Sequence, residues 1–149
     1  MGKTNIAARK NARRCALQAL YQWQMAQTPI NELLQQFREN DHLRKVDFDY
    51  FDEIVTQVIN QCEQFDSAFA KFLDRPVEQL DPIEIGILRL GSFELIQRLD
   101  IPYRVVLNEA IELAKAFGAQ GSHKYVNSVL DQLAQQVRRL EQQVNNSNN

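Results

Sequence analysis

The segment that follows Asp81-Pro82 constrains the fold most, because it is apolar on nearly every side. Asp81 supplies an N-cap carboxylate, Pro82 suits the first helical position, and Glu84 can close a capping box. Between Glu84 and Glu94 only Arg89 is charged. A helix without a polar face is normally covered by other elements on most sides. The chain is therefore expected to build its fold around this helix.

The other apolar residues also recur with a helical period, and glycine and proline are scarce, with five and four residues among 149. Helices are predicted over about residues 9–27, 30–40, 47–73 and 82–99, and the third of these is expected to break near 64–67. Two more helices follow, one that ends at Gly118 and one that Ser122 caps. The buried stripe of the first helix is Ala12, Cys15, Ala16, Ala19, Leu20 and Trp23. The inward residues of the last helix are Val126, Val129, Leu130, Leu133, Val137 and Leu140. The sequence predicts an all-α protein of about seven helices.

Charge is distributed unevenly along the sequence. Residues 1–31 contain five basic residues and no acid, whereas the rest of the chain carries 12 basic and 19 acidic residues. The net charge of −2 therefore divides into +5 and −7. Such asymmetry favours a localised anion-binding surface on an acidic protein. On charge alone, an equal alternative is that this basic N-terminal segment is merely solvated or was added by an expression vector.

The sequence offers little to support catalysis or a bound metal. It has no glycine-rich phosphate loop and no nucleophile motif, and His42 and His123 lack the spacing of zinc ligands. Cys15 and Cys62 form no CxxC motif and are expected to be reduced and mostly buried in a cytoplasmic protein. No apolar run predicts a membrane span or a secretory signal. A binding protein without a cofactor is favoured over an enzyme.

The basic residues before Glu32 point to an anion. They are Lys3, Arg9, Lys10, Arg13 and Arg14. The last four form two i, i+4 pairs of like charge at the positive end of a helix dipole, each effect costing roughly a few tenths of a kcal/mol. Phosphate binding explains this placement, because the helix N–H groups, the dipole and the cations all favour the same ligand. These four side chains are expected to lie outside the buried stripe.

A second candidate site is the segment Ser122-His123-Lys124-Tyr125, at the start of the last helix. Lys124 can bind a phosphate, and Tyr125 can stack on an unpaired base of single-stranded RNA. Core packing is an equal alternative for Tyr125 and the favoured one for Phe117. For His123, capping or packing is the simpler interpretation.

Tyr21 is an aromatic residue on the polar side of the first helix. Its neighbours Gln18, Gln22 and Gln24 are polar, so Tyr21 lies off the buried stripe. It either packs half-buried against a neighbouring helix or anchors a protein partner, and the sequence leaves both open.

Three separated segments resemble the NusB antitermination factor family. The first is residues 13–23, which read RRCALQALYQW. The second comprises IPY at 101–103 and NEAIELAK at 108–115, and the third comprises FGA at 117–119, SHKYVN at 122–127 and LD at 130–131. They occur in the family's order, and the similarity extends from about residue 7 to residue 135.

The resemblance implies an all-α fold of two packed helical sub-bundles and a role without catalysis or a cofactor. It also implies pairing with NusE, a small-subunit ribosomal protein, and binding of the pair to the boxA element of nascent RNA. That complex would join other Nus factors on RNA polymerase and suppress termination, notably during ribosomal RNA synthesis. We expect one domain over residues 1–144, with a basic arm over 1–14 and a disordered tail over 145–149.

The resemblance also assigns site residues position by position. The predicted RNA-binding residues are Lys3, Arg9, Lys10, Arg13, Arg14, Phe117, Lys124 and Tyr125. The predicted NusE contacts are Tyr21 and Glu84. Two departures concern the RNA site, because Lys10 and Asn11 interrupt the arginine-rich arm and Gly121 stands where some relatives carry an acid.

Two alternative functions follow from the same residues. Domains of this type also occur fused to RNA methyltransferases as accessory RNA binders, although 149 residues leave no room for a methyltransferase domain. A scaffold that binds only proteins is the other alternative, and RNA affinity would discriminate it. The sequence leaves open whether the chain self-associates.

Overall fold

The computed structural model describes residues 5–40 and 45–141. Within these ranges the chain forms seven α-helices, one 3-10 helix (Val77–Gln79) and no strand, which confirms the all-α class. The α-helices are α1 (Ile6–Ala26), α2 (Ile30–Asn40), α3 (Phe48–Asn60), α4 (Cys62–Ala70), α5 (Pro82–Gln97), α6 (Tyr103–Phe117) and α7 (Ser122–Val137). Lys3, His42 and the predicted tail over 145–149 lie outside the described residues.

The chain divides into two compact units, residues 1–62 and 63–149, and each is a small helical bundle. In the first unit α1, α2 and α3 contact one another. The buried stripe predicted for α1 is confirmed except at Trp23, which is half-buried. Cys15 is a buried free thiol and Cys62 a half-buried one.

The break in the predicted helix over 47–73 lies earlier than residues 64–67. It falls at Gln61, whose φ of −119° ends α3 while its N–H still donates to Gln57 O at 3.0 Å. The polar residues that suggested a later break lie on the more exposed side of α4. The opposite side buries Phe65 and Phe69, so one amphipathic helix continues through that segment.

The second unit is arranged around α5, which contacts both α6 and α7. Asp81 is the predicted N-cap, because its Oδ1 accepts hydrogen bonds from the N–H groups of Ile83 at 2.7 Å and Glu84 at 3.3 Å. Every residue from 85 to 95 is buried, as an all-round apolar helix requires. Arg89 is matched by Asp66 of α4 through two hydrogen bonds of 2.8 Å. No helix in the described part of the chain is both long enough and apolar enough to traverse a bilayer.

The turn between α6 and α7 differs from its prediction at Ser122. Ser122 does not cap α7; it is buried in the first turn, and Gly121 is the N-cap with a φ of +85°, a conformation that favours glycine. Gly118 is the C-cap of α6, as predicted, and has an extended conformation. A Cβ at Gly118 would lie 2.8 Å from Ala114 O and would also clash with Ser122 Oγ, so close approach explains this glycine.

The guanidinium of Arg138, at the C-cap of α7, is buried and connects the ends of three helices. It donates to the backbone carbonyls of Glu94, Leu95, Arg98 and Ile101 at 2.8–3.1 Å and to Glu141 Oε1 at 2.6 Å. The other carboxylate oxygen of Glu141 accepts from the Tyr103 N–H, at the start of α6, at 2.9 Å. Leu140, predicted to face inward, is instead 78% exposed, because α7 ends at Val137 and its register does not continue.

Candidate nucleic-acid interface

The first turn of α1 has the electrostatics of an anion site. Asn5 caps it, with Oδ1 accepting from the Ala8 N–H at 2.9 Å, and the turn contains no acidic residue. The helix dipole therefore meets no acidic side chain from this turn. Among the described residues, the cations of the arm begin one turn later, where Arg14 is exposed and Arg9 and Lys10 are half-buried.

Arg9 and Arg13 converge on one aromatic ring of α3. Their Cζ atoms lie 4.7 Å and 5.5 Å from the centroid of Tyr50. Arg13 is only 4% exposed, so the prediction that all four arm side chains lie outside the buried surface is wrong for this residue. The contact with Tyr50 stabilises this position, because an aromatic ring attracts a guanidinium that lies against it.

The start of α3 is attached to α1 by two long-range hydrogen bonds. The Asp47 N–H donates to Ala8 O at 3.1 Å, and Asn11 Nδ2 donates to Lys45 O at 2.8 Å. Asn11, which interrupts the basic run, thus holds the exposed residue Lys45 beside the arm. Sequence reasoning missed Lys45 and Tyr50, since both are more than 30 positions from the arm.

In the second unit Tyr125 belongs to a polar cluster with Asp74 and Arg75. The Tyr125 hydroxyl donates to Asp74 Oδ1 at 2.9 Å and accepts from the Asp74 N–H at 3.2 Å. Arg75 Cζ lies 5.0 Å from the Tyr125 ring centroid, and Arg75 Nε donates to Asp74 Oδ1 at 2.7 Å. The Tyr125 hydroxyl is therefore engaged within the protein, and the ring with Arg75 is the part that can meet a base.

Electrostatics in this cluster are dominated by the arginine. The hydrogen bond from Arg75, followed by that from Tyr125, lowers the pKa of Asp74 to about 2. Burial raises the pKa of Tyr125. Sequence reasoning missed Asp74 and Arg75, because they lie in the loop between α4 and the 3-10 helix, where no motif marks them.

The Asp74 carboxyl is expected to titrate near pH 2, which carbon-detected NMR of the carboxyl group can measure. Arg75→Ala should raise this pKa more than Tyr125→Phe does, because the arginine is the larger cause. Since the folded pKa lies below the ordinary 3.8, the stability that the cluster contributes is present above about pH 4 and is lost as the pH falls toward 2. An Asp74 that titrates near 3.8 in the parent protein would contradict the observed geometry.

The remaining predicted RNA contacts lie around the start of α7. Lys124 is exposed, whereas Phe117 and His123 are half-buried. Lys124 is adjacent in sequence to Tyr125, so a cation and an aromatic ring are both available there. Phe117 ends α6 four residues before the Gly121 cap of α7.

Glu84, predicted to contact the protein partner, lies close enough to the Tyr125 cluster to interact with it. Burial and then the neighbouring Asp81 carboxylate raise the pKa of Glu84, while Arg75 lowers it. The Asp81 backbone also hydrogen-bonds Glu84, as the predicted capping box requires. Glu84 and Tyr125 therefore both lie in the electrostatic field of Arg75.

Tyr21 lines an open groove of about 520 Å³ between α1 and α2. The prediction that it lies off the buried stripe is confirmed by its 40% exposure. Met25, on the same groove, is 59% exposed, and Gln22 and Gln36 exchange hydrogen bonds of 3.0 Å and 2.9 Å between the two helices. The groove is lined by amide, aromatic and aliphatic groups without a charge.

The sequence and the fold are similar to those of known proteins. The model of the NusB family matches residues 10–135. The transcription antitermination protein NusB of Marinomonas sp. (strain MWYL1) is 52% identical over 138 residues, which cover 89% of this chain and 78% of that protein. The protein of the same name from Alcanivorax borkumensis is 52% identical over 135 residues, covering 91% and 90%.

Among solved structures, a crystal structure of antitermination factors NusB and NusE in complex with dsRNA contains a chain with the same fold. The TM-score is 0.77 at 26% identity, and the alignment covers 88% of this chain and 98% of that chain. The family model matches most of the sequence, and relatives of about half identity extend over nine-tenths of it. This chain therefore belongs to the NusB family.

Proposed function

We propose that this chain is an RNA-binding transcription antitermination factor that pairs with NusE and, with it, binds boxA-type single-stranded RNA. The complex joins other Nus factors on RNA polymerase in the cytoplasm and acts on nascent RNA, including ribosomal RNA. Two kinds of observation support this. The relatives are named for transcription antitermination rather than for a reaction, and a chain of the same fold is described with NusE and RNA.

The cationic start of α1 is the observation that carries the RNA-binding part. No acidic residue occupies its first turn, and the positive end of the helix dipole lies near the cations. Two arginines contact the same aromatic ring. A fold optimised for stability alone would place acids at this helix start. A polyanion that neutralises the cations would account for their placement.

The proposed contacts divide between the two partners. The RNA-binding set is Lys3, Arg9, Lys10, Arg13, Arg14, Phe117, Lys124 and Tyr125, of which Lys3 lies outside the described residues. The NusE-binding pair is Tyr21 and Glu84. Exposure supports Tyr21 as a contact, since a tyrosine at the edge of an uncharged groove resembles the aromatic anchors of protein interfaces.

Titration of the parent protein with RNA tests the function directly. The RNAs are a single-stranded boxA-type oligonucleotide, a scrambled strand of equal length and a hairpin, each measured with and without NusE. We expect the boxA-type strand to bind more tightly than the scrambled strand, and more tightly still with NusE. Binding of NusE without measurable RNA binding would favour the protein-only scaffold, and a hairpin preference would contradict the single-stranded target.

Tyr21→Asp is expected to lower the affinity for NusE at least tenfold, because it places an unmatched charge at an interface anchor worth about 2 kcal/mol. Glu84→Lys should lower it similarly. RNA binding by the isolated protein should change much less in Tyr21→Asp. It should strengthen slightly in Glu84→Lys, because that change removes an acid from the field of Arg75. Calorimetry with each partner separately provides both affinities.

Two matched variants control for charge and exposure. Val105→Asp places a new acid at another residue of 40% exposure, on α6, and Glu63→Lys reverses an exposed acid on α4. Both should bind NusE like the parent, and all four variants should keep the helical circular dichroism. If Tyr21→Asp and Glu84→Lys bind NusE like the parent, or lose NusE and RNA equally, the proposed division of the surface is wrong.

A further inference from the structure

The Tyr50 ring provides a fixed surface for two cations of the arm. The 4.7 Å and 5.5 Å distances to Arg9 and Arg13 are both within the roughly 6 Å over which a guanidinium is attracted to an aromatic ring. Tyr50 is 3% exposed, so its ring is held inside the first unit. Helix α3 thus contributes to the geometry of the cations on α1.

This contact opposes a repulsion that the helix itself creates. Arg9 and Arg13 are one turn apart, where like charges destabilise a helix and drive the side chains away from each other. The negative face of one ring attracts both guanidinium groups. The Tyr50 ring therefore opposes the repulsion between these two cations.

The backbone around Tyr50 fixes the ring relative to the arm. Asp47 Oδ1 accepts from the Tyr50 N–H at 3.1 Å, and the Asp47 N–H donates to Ala8 O at 3.1 Å. Ala8 immediately precedes Arg9. Two hydrogen bonds through one residue thus connect the start of α3 to the turn of α1 that carries the first arginine.

Arg9 keeps an unused donor in this arrangement. Its Nε is buried, and no described residue accepts a hydrogen bond from it. Buried polar atoms nearly always have a partner, and a phosphate oxygen is among the strongest acceptors for a guanidinium. The guanidinium that stacks on the Tyr50 ring therefore keeps hydrogen-bonding capacity that its described neighbours do not use.

We propose that Tyr50 is a positioning residue for RNA binding, which holds the half-buried Arg9 in place for a phosphate of a single strand while the buried Arg13 lies against the same ring. This rests on the RNA-binding function proposed above. Side chains that are ordered before binding lose less conformational entropy in the complex. Removing the ring therefore lowers RNA affinity without removing a charge.

The first test compares ring-removing and ring-retaining variants by fluorescence anisotropy with a boxA-type strand across a salt series. Tyr50→Leu should weaken binding about fivefold, since each cation–π contact is worth roughly two- to fivefold. Tyr50→Phe keeps the ring and should stay within about twofold of the parent. Phe48→Leu is the matched control, because Phe48 also lies on α3 and its ring centroid is 5.1 Å from Arg38 Cζ, on α2. Removing this cation–π contact should leave RNA affinity unchanged.

A double-mutant cycle separates positioning from a general effect on the fold. If Tyr50 acts through the arginines, Tyr50→Leu should cost clearly less affinity when Arg9→Ala is already present. A purely structural role would lower affinity by the same factor in both backgrounds. Equal factors would therefore overturn the proposal.

A second variant covers the case in which Tyr50→Leu does not fold. Phenylalanine with increasing fluorination at position 50 keeps the size of the ring while weakening its negative face, so affinity should fall stepwise from the Tyr50→Phe value. No change across the fluorinated series would overturn the role of Tyr50. A parent protein without RNA affinity would instead overturn the proposed function itself, and with it this inference.

Discussion

Replacing Arg9, Lys10 and Arg14 together with alanine is expected to lower the affinity for a single-stranded RNA roughly 100-fold at 0.1 M salt. Each cation that neutralises a phosphate of a single strand contributes about 0.7 to the slope of log K against log salt. Without three of them the slope should become shallower by about two units. Arg13 stays in this variant because it is buried, and its removal would disturb the bundle as well as the charge.

The measurement is RNA affinity from about 50 to 400 mM salt, with helical circular dichroism as a check of folding. The matched control replaces Lys71, Arg104 and Arg139, three exposed cations outside the proposed site, and so changes the net charge equally. The control should keep a slope close to that of the parent. An arm variant with the parent's salt slope would show that RNA binds elsewhere.

Much of the fold could be predicted from local sequence signals. Asp81-Pro82 predicted the start of α5, and the apolar residues that follow predicted a helix covered by other elements. Both signals could be read from the sequence because a helix cap and a helical period each involve residues only a few positions apart. The break between α3 and α4 was misplaced because a local signal was misleading there. Polar residues such as Gln64 and Ser67 suggested a break, whereas they form the exposed side of a helix whose other side buries Phe65.

The candidate site was only partly predictable, because sequence patterns give charge but not three-dimensional partners. The cations of the arm could be identified, yet the buried Arg13 contacts Tyr50, 37 positions away. Tyr125 could be identified as an aromatic residue at a helix start, while its partner Asp74 lies 51 positions earlier. No periodicity or motif connects residues at such separations, so these contacts required the folded structure.

The contacts of Arg138 could not be predicted from sequence patterns either, and they matter most for stability. Nε, Nη1 and Nη2 make five hydrogen bonds, so each of its five N–H groups can donate one. Three of the four carbonyl acceptors belong to the last turn and C-cap of α5, where carbonyl groups commonly lack a partner within the helix. Glu94 O also accepts from the Arg98 N–H and Arg98 O from the Ile101 N–H, whereas Arg138 supplies the hydrogen bond to Leu95 O. The side chain of one residue therefore caps the central helix of the second unit, although nothing in the local sequence marks it.

Arg138→Met is expected to lower the free energy of unfolding by about 3–5 kcal/mol, a large part of the roughly 5–15 kcal/mol that stabilises a typical protein. The substitution keeps an unbranched apolar stem but removes the donor to the carbonyls of Leu95 and Ile101 and the cation beside Glu141. Each unsatisfied group costs about 1–3 kcal/mol. Arg138→Lys should cost about 2 kcal/mol, because an ammonium cannot reproduce the planar set of donors. Urea unfolding followed by circular dichroism measures all three proteins. The control Arg139→Met, at the exposed neighbouring position, should change the free energy of unfolding by less than about 0.5 kcal/mol. An Arg138→Met protein as stable as that control would show that the Arg138 guanidinium does not stabilise the end of α5.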